Sequence, residues 1–86
     1  MTLDLPLVRR LATDVARQED PEVTVLGVTA AEGGRGHAEI VLARDHAGKA
    51  SRFVVRVNRE GDEAKTQADL RKGMRDELGH AGSGLA

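Results

Sequence analysis

The sequence predicts an α+β fold, a two-layer sandwich of order α-β-β-β-α, with a three-stranded antiparallel meander and two helices on one face. Three observations predict it: a helical repeat of apolar residues near the N-terminus, three central stretches with strand patterning, and a capped helix after them. Helices that flank consecutive strands favour packing on one side of the sheet. For a chain of 86 residues we expect a single domain over residues 1–79 and a flexible C-terminal tail over 80–86.

The first element is an amphipathic helix. Its apolar residues recur at the i, i+3, i+4 and i+7 spacing of one helix face: Val8, Leu11, Ala12 and Val15. Asp4 is a suitable N-cap, and Asp20-Pro21 ends the helix because proline disfavours helical geometry at the residue before it. We therefore predict a helix from about Leu5 to Glu19.

The first strand, residues 22–30, has two apolar pairs of opposite parity. Val23 and Val25 lie on one parity, and Leu26 and Val28 lie on the other. A β-bulge at Gly27 would switch the parity and turn both pairs toward the core. Without a bulge, the strand would be half-buried on both sides.

Residues 37–58 predict a β-hairpin, on which the rest of the fold depends. Alternation of apolar and polar residues in two runs indicates two strands, and residues 45–49 between them combine an Asp with a Gly that tolerates positive φ. The parity predicts that five side chains point to the core: Ile40, Leu42, Phe53, Val55 and Val57. The opposite parity forms the outer sheet face, with Glu39, Val41, Arg52, Val54 and Arg56.

The second helix is predicted to start at the N-cap Asp62 and to end at Gly79. Gln67, Arg71 and Arg75 interrupt its apolar arc, and Gly73 in mid-helix costs up to about 1 kcal/mol relative to Ala. The apolar arc consists of Ala64, Ala68, Leu70, Met74 and Leu78. This helix is therefore either loosely docked or uses part of its mixed face for a partner.

Composition argues against catalysis. The chain has no Cys, so thiolate chemistry is excluded, and the His37-Ala38-Glu39 motif lacks the cysteine ligands that accompany it in zinc deaminases. Its three histidines, His37, His46 and His80, fall at a strand start, a turn and the tail, where they do not suggest a shared metal. We expect no enzymatic activity, no cofactor, no metal and no small-molecule substrate. The sequence predicts no membrane span, and the cytoplasm is the expected location.

The leading functional hypothesis is a non-catalytic module that binds a protein partner through the outer sheet face. Val41 and Val54 would form an apolar centre, with a charged surround of Glu39, Arg52 and Arg56. A core with one Phe and no Trp or Tyr also favours a homo-oligomer, most simply a homodimer, that shares apolar area. The alternative is an ordinary exposed sheet face kept soluble by cross-strand pairing of Glu39 with arginine.

Nucleic-acid binding is the second hypothesis, through Arg35, Lys65, Arg71, Lys72 and Arg75. Thirteen Lys and Arg against 14 Asp and Glu, a net charge of −1, do not favour a large nucleic-acid footprint. The alternative is that the basic side of the second helix is a solvated surface whose charge is balanced by Asp69 and Asp76.

The element order resembles that of double-stranded-RNA-binding domains. Gly34-Arg35-Gly36-His37 matches the Gly and the His of their G-P-x-H loop motif. The chain departs from those domains at the start of the second helix, where they carry a Lys-rich cluster that binds phosphates: the corresponding stretch here, Glu60-Gly61-Asp62-Glu63, is acidic and would repel them. The chain is also similar to YbaB-like nucleoid-associated proteins in the order of its elements, in its size and in its expected dimeric state. Both resemblances imply nucleic-acid binding.

Overall fold

The computed structural model describes residues 2–31 and 36–83 and confirms the predicted fold class. Helix α1 spans Leu5–Glu19, the strands span β1 Val23–Ala30, β2 His37–His46 and β3 Lys49–Asn58, and helix α2 spans Glu63–Ser83. The three strands form an antiparallel sheet in the order β1-β2-β3. Both helices pack on the same face of this sheet and leave the other face open.

Helix α1 has the bounds that its local sequence predicts. Asp4 Oδ1 accepts a hydrogen bond from the Leu7 backbone N–H at 2.9 Å, and Asp20 caps the other end. The predicted apolar face is buried: Val8, Leu11, Ala12 and Val15, together with Ala16. The arginines on the opposite side therefore remain in solvent.

Strands β2 and β3 form the predicted hairpin, with a tighter turn than expected. Asp45, His46 and Lys49 belong to the paired strands, so only Ala47 and Gly48 make the turn. Both turn residues have positive φ, 54° and 79°, as a two-residue type I′ turn requires. The core-facing row is confirmed: Ile40, Leu42, Val55 and Val57 are buried, and Phe53 is half-buried against them.

Strand β1 contains the predicted bulge, but one of its consequences was wrong. Val25 pairs with Leu42 and Gly27 pairs with Val41, which leaves Leu26 as the extra residue. The parity switches there, so that Val23 is buried and Val25 and Val28 pack against the core. Leu26, which we expected in the core, instead has 44% of its surface exposed.

Helix α2 packs on β3 and α1 along a face that sequence reasoning identified only in part. Thr66, Leu70 and Met74 are fully buried, and Leu78 is partly buried. Ala64 and Ala68, which were predicted to share this face, are exposed. The Thr66 hydroxyl donates to the Asn58 carbonyl at 3.2 Å, which allows a polar residue to be buried there.

Both ends of α2 can be compared with prediction. Asp62 caps its start by accepting the Lys65 backbone N–H at 2.9 Å. The helix continues to Ser83, so the predicted end at Gly79 is four residues too early. A flexible tail over 80–86 stays a prediction, and its last three residues, 84–86, lie outside the described part of the chain.

The N-terminal segment is tied to the end of β3, which the sequence did not indicate. The Leu3 backbone N–H donates to the Arg59 carbonyl at 2.8 Å, and the Arg59 guanidinium donates back to the Leu3 carbonyl at 3.2 Å. The Leu3 side chain is consequently buried in the core. Among the described residues, no helix combines the length and apolar character that a membrane crossing requires.

Candidate protein-interaction face

The sheet face turned away from the helices carries all five residues of the predicted interface. We call it the open face and define it by six outward-facing residues: Leu26, Glu39, Val41, Arg52, Val54 and Arg56. The register places them in rows across the sheet, because antiparallel partners share a side of the sheet. Val41 lies opposite Val54, Glu39 lies opposite Arg56, and Ala43 lies opposite Arg52.

The centre of the open face is an apolar row across all three strands. Val41 on the central strand has Gly27 on one side and Val54 on the other. Leu26 joins this row because of the bulge. In a bulge two residues of one strand lie opposite one residue of the other, and here Leu26 and Gly27 both lie opposite Val41. Leu26 and Val54 are 44% and 49% exposed, and they are the large apolar side chains most exposed in the described residues.

Leu26 is the residue of this face that sequence reasoning missed. The sequence predicts the change of strand parity at Gly27, next to Leu26. Which of the two would be the unpaired residue depends on the hydrogen-bond register with β2. That register is a long-range property, and a shift by one residue reverses the side on which Leu26 lies.

The charges around the apolar row make no ion pair with any other described residue. None of the ion pairs among the described residues involves Glu39, Arg52 or Arg56. Glu39 and Arg56 are direct cross-strand neighbours, yet they do not meet in an ion pair. The expected alternative, in which this pairing keeps an inert face soluble, therefore lacks its main contact. The open face presents free charges of both signs beside an apolar centre.

The basic residues predicted for nucleic-acid binding are divided between two environments. Arg71 and Arg75 approach the same Glu19 oxygen, at 3.4 and 2.8 Å, and Arg71 also donates to Gln18 at 2.8 Å. The Glu19 side chain is only 14% exposed, so these contacts join α2 to α1. The arginines on the mixed face of α2 thus hold the two helices together, a role that the sequence did not indicate.

The remaining basic residues are two lysines and a loop arginine. Lys65 and Lys72 are exposed on α2. Lys72 lines a depression of about 420 Å³ between β3 and α2 together with Asp69 and Asp76, which reduce the local positive potential. Arg35 lies outside the described residues.

A second charged cluster lies where β1 starts and β2 ends. Arg44 Nε is 3.0 Å from Asp20 Oδ2, and His46 Nδ1 is 2.9 Å from Glu22 Oε1. These contacts tie the loop after α1 to the sheet. His37 and His46 are the two ends of β2, about 30 Å apart at the rise of an extended strand, so they cannot share a metal.

Within residues 2–31 and 36–83, no group of three or more His, Cys, Asp or Glu side chains is arranged to hold a metal ion. Comparisons with protein-family models, with curated proteins and with solved structures find no match to this chain.

Proposed function

We propose that this protein is a non-catalytic protein-binding module, and that the occupant of its open face is a second copy of the chain. The observation that supports the proposal is the apolar row of Leu26, Val41 and Val54, of which Leu26 and Val54 are exposed, between charges that make no ion pair among the described residues. An apolar centre with a polar, charged surround is the composition of protein interfaces. The cytoplasmic location stays a prediction from the sequence.

The register of the hairpin makes the open face complementary to itself. In the proposed dimer the open faces of two copies are stacked. The two-fold axis lies between the two sheets, runs parallel to the strands and passes midway between β2 and β3. It lays β2 of one copy over β3 of the other, and each residue then faces the equivalent of its own cross-strand partner. Val41 meets Val54 and Glu39 meets Arg56, twice each. Face-to-face sheets lie about 10 Å apart, a gap that arginine side chains span.

The size of the face sets the strength of this contact. The two strands of each copy that overlap, β2 and β3, lie about 4.8 Å apart and have ten residues each, and together they cover roughly 320 Å² in projection. Stable interfaces bury about 800 Å² per partner, so this one belongs with weak or transient contacts. We therefore expect a monomer–dimer equilibrium that depends on protein concentration.

The first prediction concerns the apolar centre. Val54→Asp places a carboxylate between apolar surfaces, where an unpaired charge costs at least about 3 kcal/mol, or about a hundredfold in affinity. Val54→Thr keeps the shape and the strand propensity and is expected to weaken the dimer less. Ala68→Asp adds the same charge at an exposed position of α2 and serves as the matched control. Sedimentation equilibrium over a concentration series measures the association constant of each.

Charge exchange tests the two-fold arrangement separately. Arg56→Glu puts two acids opposite each other in the proposed contact and should weaken the dimer, as should Glu39→Arg. The double variant Glu39→Arg/Arg56→Glu restores opposite charges and should recover the affinity. A wild-type chain that stays monomeric at every accessible concentration, or a folded Val54→Asp variant with unchanged mass, contradicts the proposal.

Nucleic-acid binding is the competing outcome of the same experiments. Two of its four described basic residues, Arg71 and Arg75, are engaged by Glu19, so no observation favours it over the open face. A complex with nucleic acid would weaken steeply with added salt, because phosphate neutralisation releases counterions. The valine-centred dimer is expected to respond only weakly to salt.

A further inference from the structure

Among residues 2–31 and 36–83, no strand pairs with the outer edge of β1. In the three-stranded sheet its neighbour is β2, and its other edge borders a groove beside α1. Its eight residues, VTVLGVTA, contain no charged side chain. Exposed edge strands usually carry charges or proline to prevent pairing with another chain, so an uncharged edge is open to strand addition. The bulge at Leu26 limits the regular part of this edge to Val23–Val25.

The backbone groups that are available on this edge follow from the hydrogen bonds at the start of β1. The Asp45 N–H donates to the Glu22 carbonyl at 3.1 Å, so Glu22 and Thr24 direct their backbone groups toward β2. Val23 and Val25 consequently direct theirs toward the edge. The Val23 N–H already donates to the Asp20 carbonyl at 3.1 Å. The Val25 N–H and the two valine carbonyls are left for an added strand.

The groove beside this edge has a volume of about 390 Å³ and a positive rim. One wall is the start of β1, with Pro21, Val23, Thr24 and Val25, and the other wall consists of α1 residues Arg9, Thr13, Ala16 and Arg17. Both arginines are exposed, and among the described residues neither of them makes an ion pair. The other lining residues are uncharged and small or apolar, so the charges that line the groove are both positive.

We propose that this groove binds an extended, acidic segment of a partner protein, which adds to β1 as a fourth strand. Backbone hydrogen bonds to Val23 and Val25 would hold the segment, and its carboxylates would pair with Arg9 and Arg17. This is strand addition, in which the edge supplies affinity and side-chain sites supply specificity. The surface is separate from the open face, so the inference does not depend on the dimer.

The two arginines predict the spacing of the acids. Arg9 and Arg17 are eight residues apart on α1, about 12 Å along the helix axis at 1.5 Å per residue. Side chains on one face of an extended segment recur every second residue, about 6.7 or 13.4 Å apart. The spacing that matches is i and i+4. The intervening residue on that face, i+2, lies over Thr13 and Ala16 and is expected to be small and apolar.

The probe is a fluorescent nonapeptide with the central sequence Glu-Thr-Val-Ser-Glu, titrated with the full chain. We expect saturable binding that weakens at least tenfold in Arg9→Glu and in Arg17→Glu. Arg10→Glu is the matched control, because it makes the same charge change on the exposed side of α1 outside the groove. A peptide with the same composition and the acids two residues apart should bind more weakly.

Amide hydrogen exchange distinguishes strand addition from simple charge attraction. Bound peptide should slow exchange of the Val25 N–H, and a peptide with Pro in place of the central Val should lose this protection. The measurements are repeated on Val54→Asp, which removes the proposed dimer without touching the groove, so that the two proposals fail separately. Any of three results would overturn the inference. The peptide binds wild type and Arg17→Glu equally, exchange of the Val25 N–H is unchanged, or single-stranded DNA of equal charge binds more tightly than the peptide.

Discussion

Ala47 occupies a backbone conformation that side chains with a Cβ rarely adopt. It has a φ of 54° in the first central position of the β2–β3 turn, followed by Gly48 at 79°. For a residue other than Gly, Asn or Asp the left-handed region costs roughly 1–2 kcal/mol. This is the geometry of a type I′ turn, which two-residue hairpins favour because its twist matches that of the strands. The hairpin at the centre of the fold therefore carries a local strain.

Ala47→Asn is expected to relieve that strain. Asn tolerates positive φ, and Asn-Gly is the preferred sequence of this turn type, so the free energy of unfolding should rise by about 0.5–1 kcal/mol. Urea denaturation measures the change. Ala50→Asn is the matched control in strand β3, three residues away, where Asn is unfavourable and stability should fall slightly. An Ala47→Asn protein that is no more stable than wild type contradicts the assigned turn.

At the scale of the elements, α2 lies unusually close to the sheet at Gly73. A Cβ added there would be 2.5 Å from Val55 Cγ1. Val55 is buried, and a β-branched side chain has little freedom to turn away. The sequence suggested that Gly73 only weakens the helix, but it also permits this approach. The side chain of Val55 on the neighbouring strand leaves no room for a Cβ at position 73, and this explains the glycine better than any requirement of the helix does.

Gly73→Ala is accordingly expected to destabilise the protein although alanine is the better helix former. Overpacking costs about 1–3 kcal/mol, and the gain in helix propensity offsets up to about 1 kcal/mol of it. Gly79 lies in the same helix, and a Cβ there would meet nothing within 4 Å. Gly79→Ala should therefore stabilise, by up to about 1 kcal/mol. Opposite signs in urea denaturation would confirm the close approach; the same sign for both would refute it.

The elements differ in how far their own residues determine them. Helix α1 could be predicted to the residue because Asp4 and Pro21 fix its ends locally. The buried face of α2 could not, since Thr66 is buried through a bond to the Asn58 carbonyl and the close approach at Gly73 depends on Val55. Both features depend on tertiary contacts, which the local sequence of α2 does not indicate. The open face is intermediate: strand alternation predicted five of its residues, and the register with β2 added Leu26.

For the whole molecule, the decisive asymmetry is between the two faces of the sheet. One face is covered by both helices, whereas the other exposes Leu26 and Val54. The chain has a single Phe, which is half-buried, and no Trp or Tyr, so its core comes from aliphatic side chains. A small domain of this kind has little surplus stability. Burial of the open face by a second copy would add to the stability of each fold, and unfolding would then depend on protein concentration.

Concentration dependence of thermal unfolding is the last prediction. Above the dissociation constant, each tenfold rise in concentration stabilises the dimer by about 1.4 kcal/mol, or about 0.7 kcal/mol per chain. For a domain of this size, 1 kcal/mol shifts the midpoint temperature by about 4–8 °C, so we expect a rise of about 3–6 °C per tenfold step. Reversible calorimetric scans of the wild type measure it. The midpoint of Val54→Asp should not change with concentration, and the midpoint of Glu39→Arg/Arg56→Glu should change as that of the wild type does. A wild-type midpoint that is independent of concentration would mean that the folded chain is monomeric.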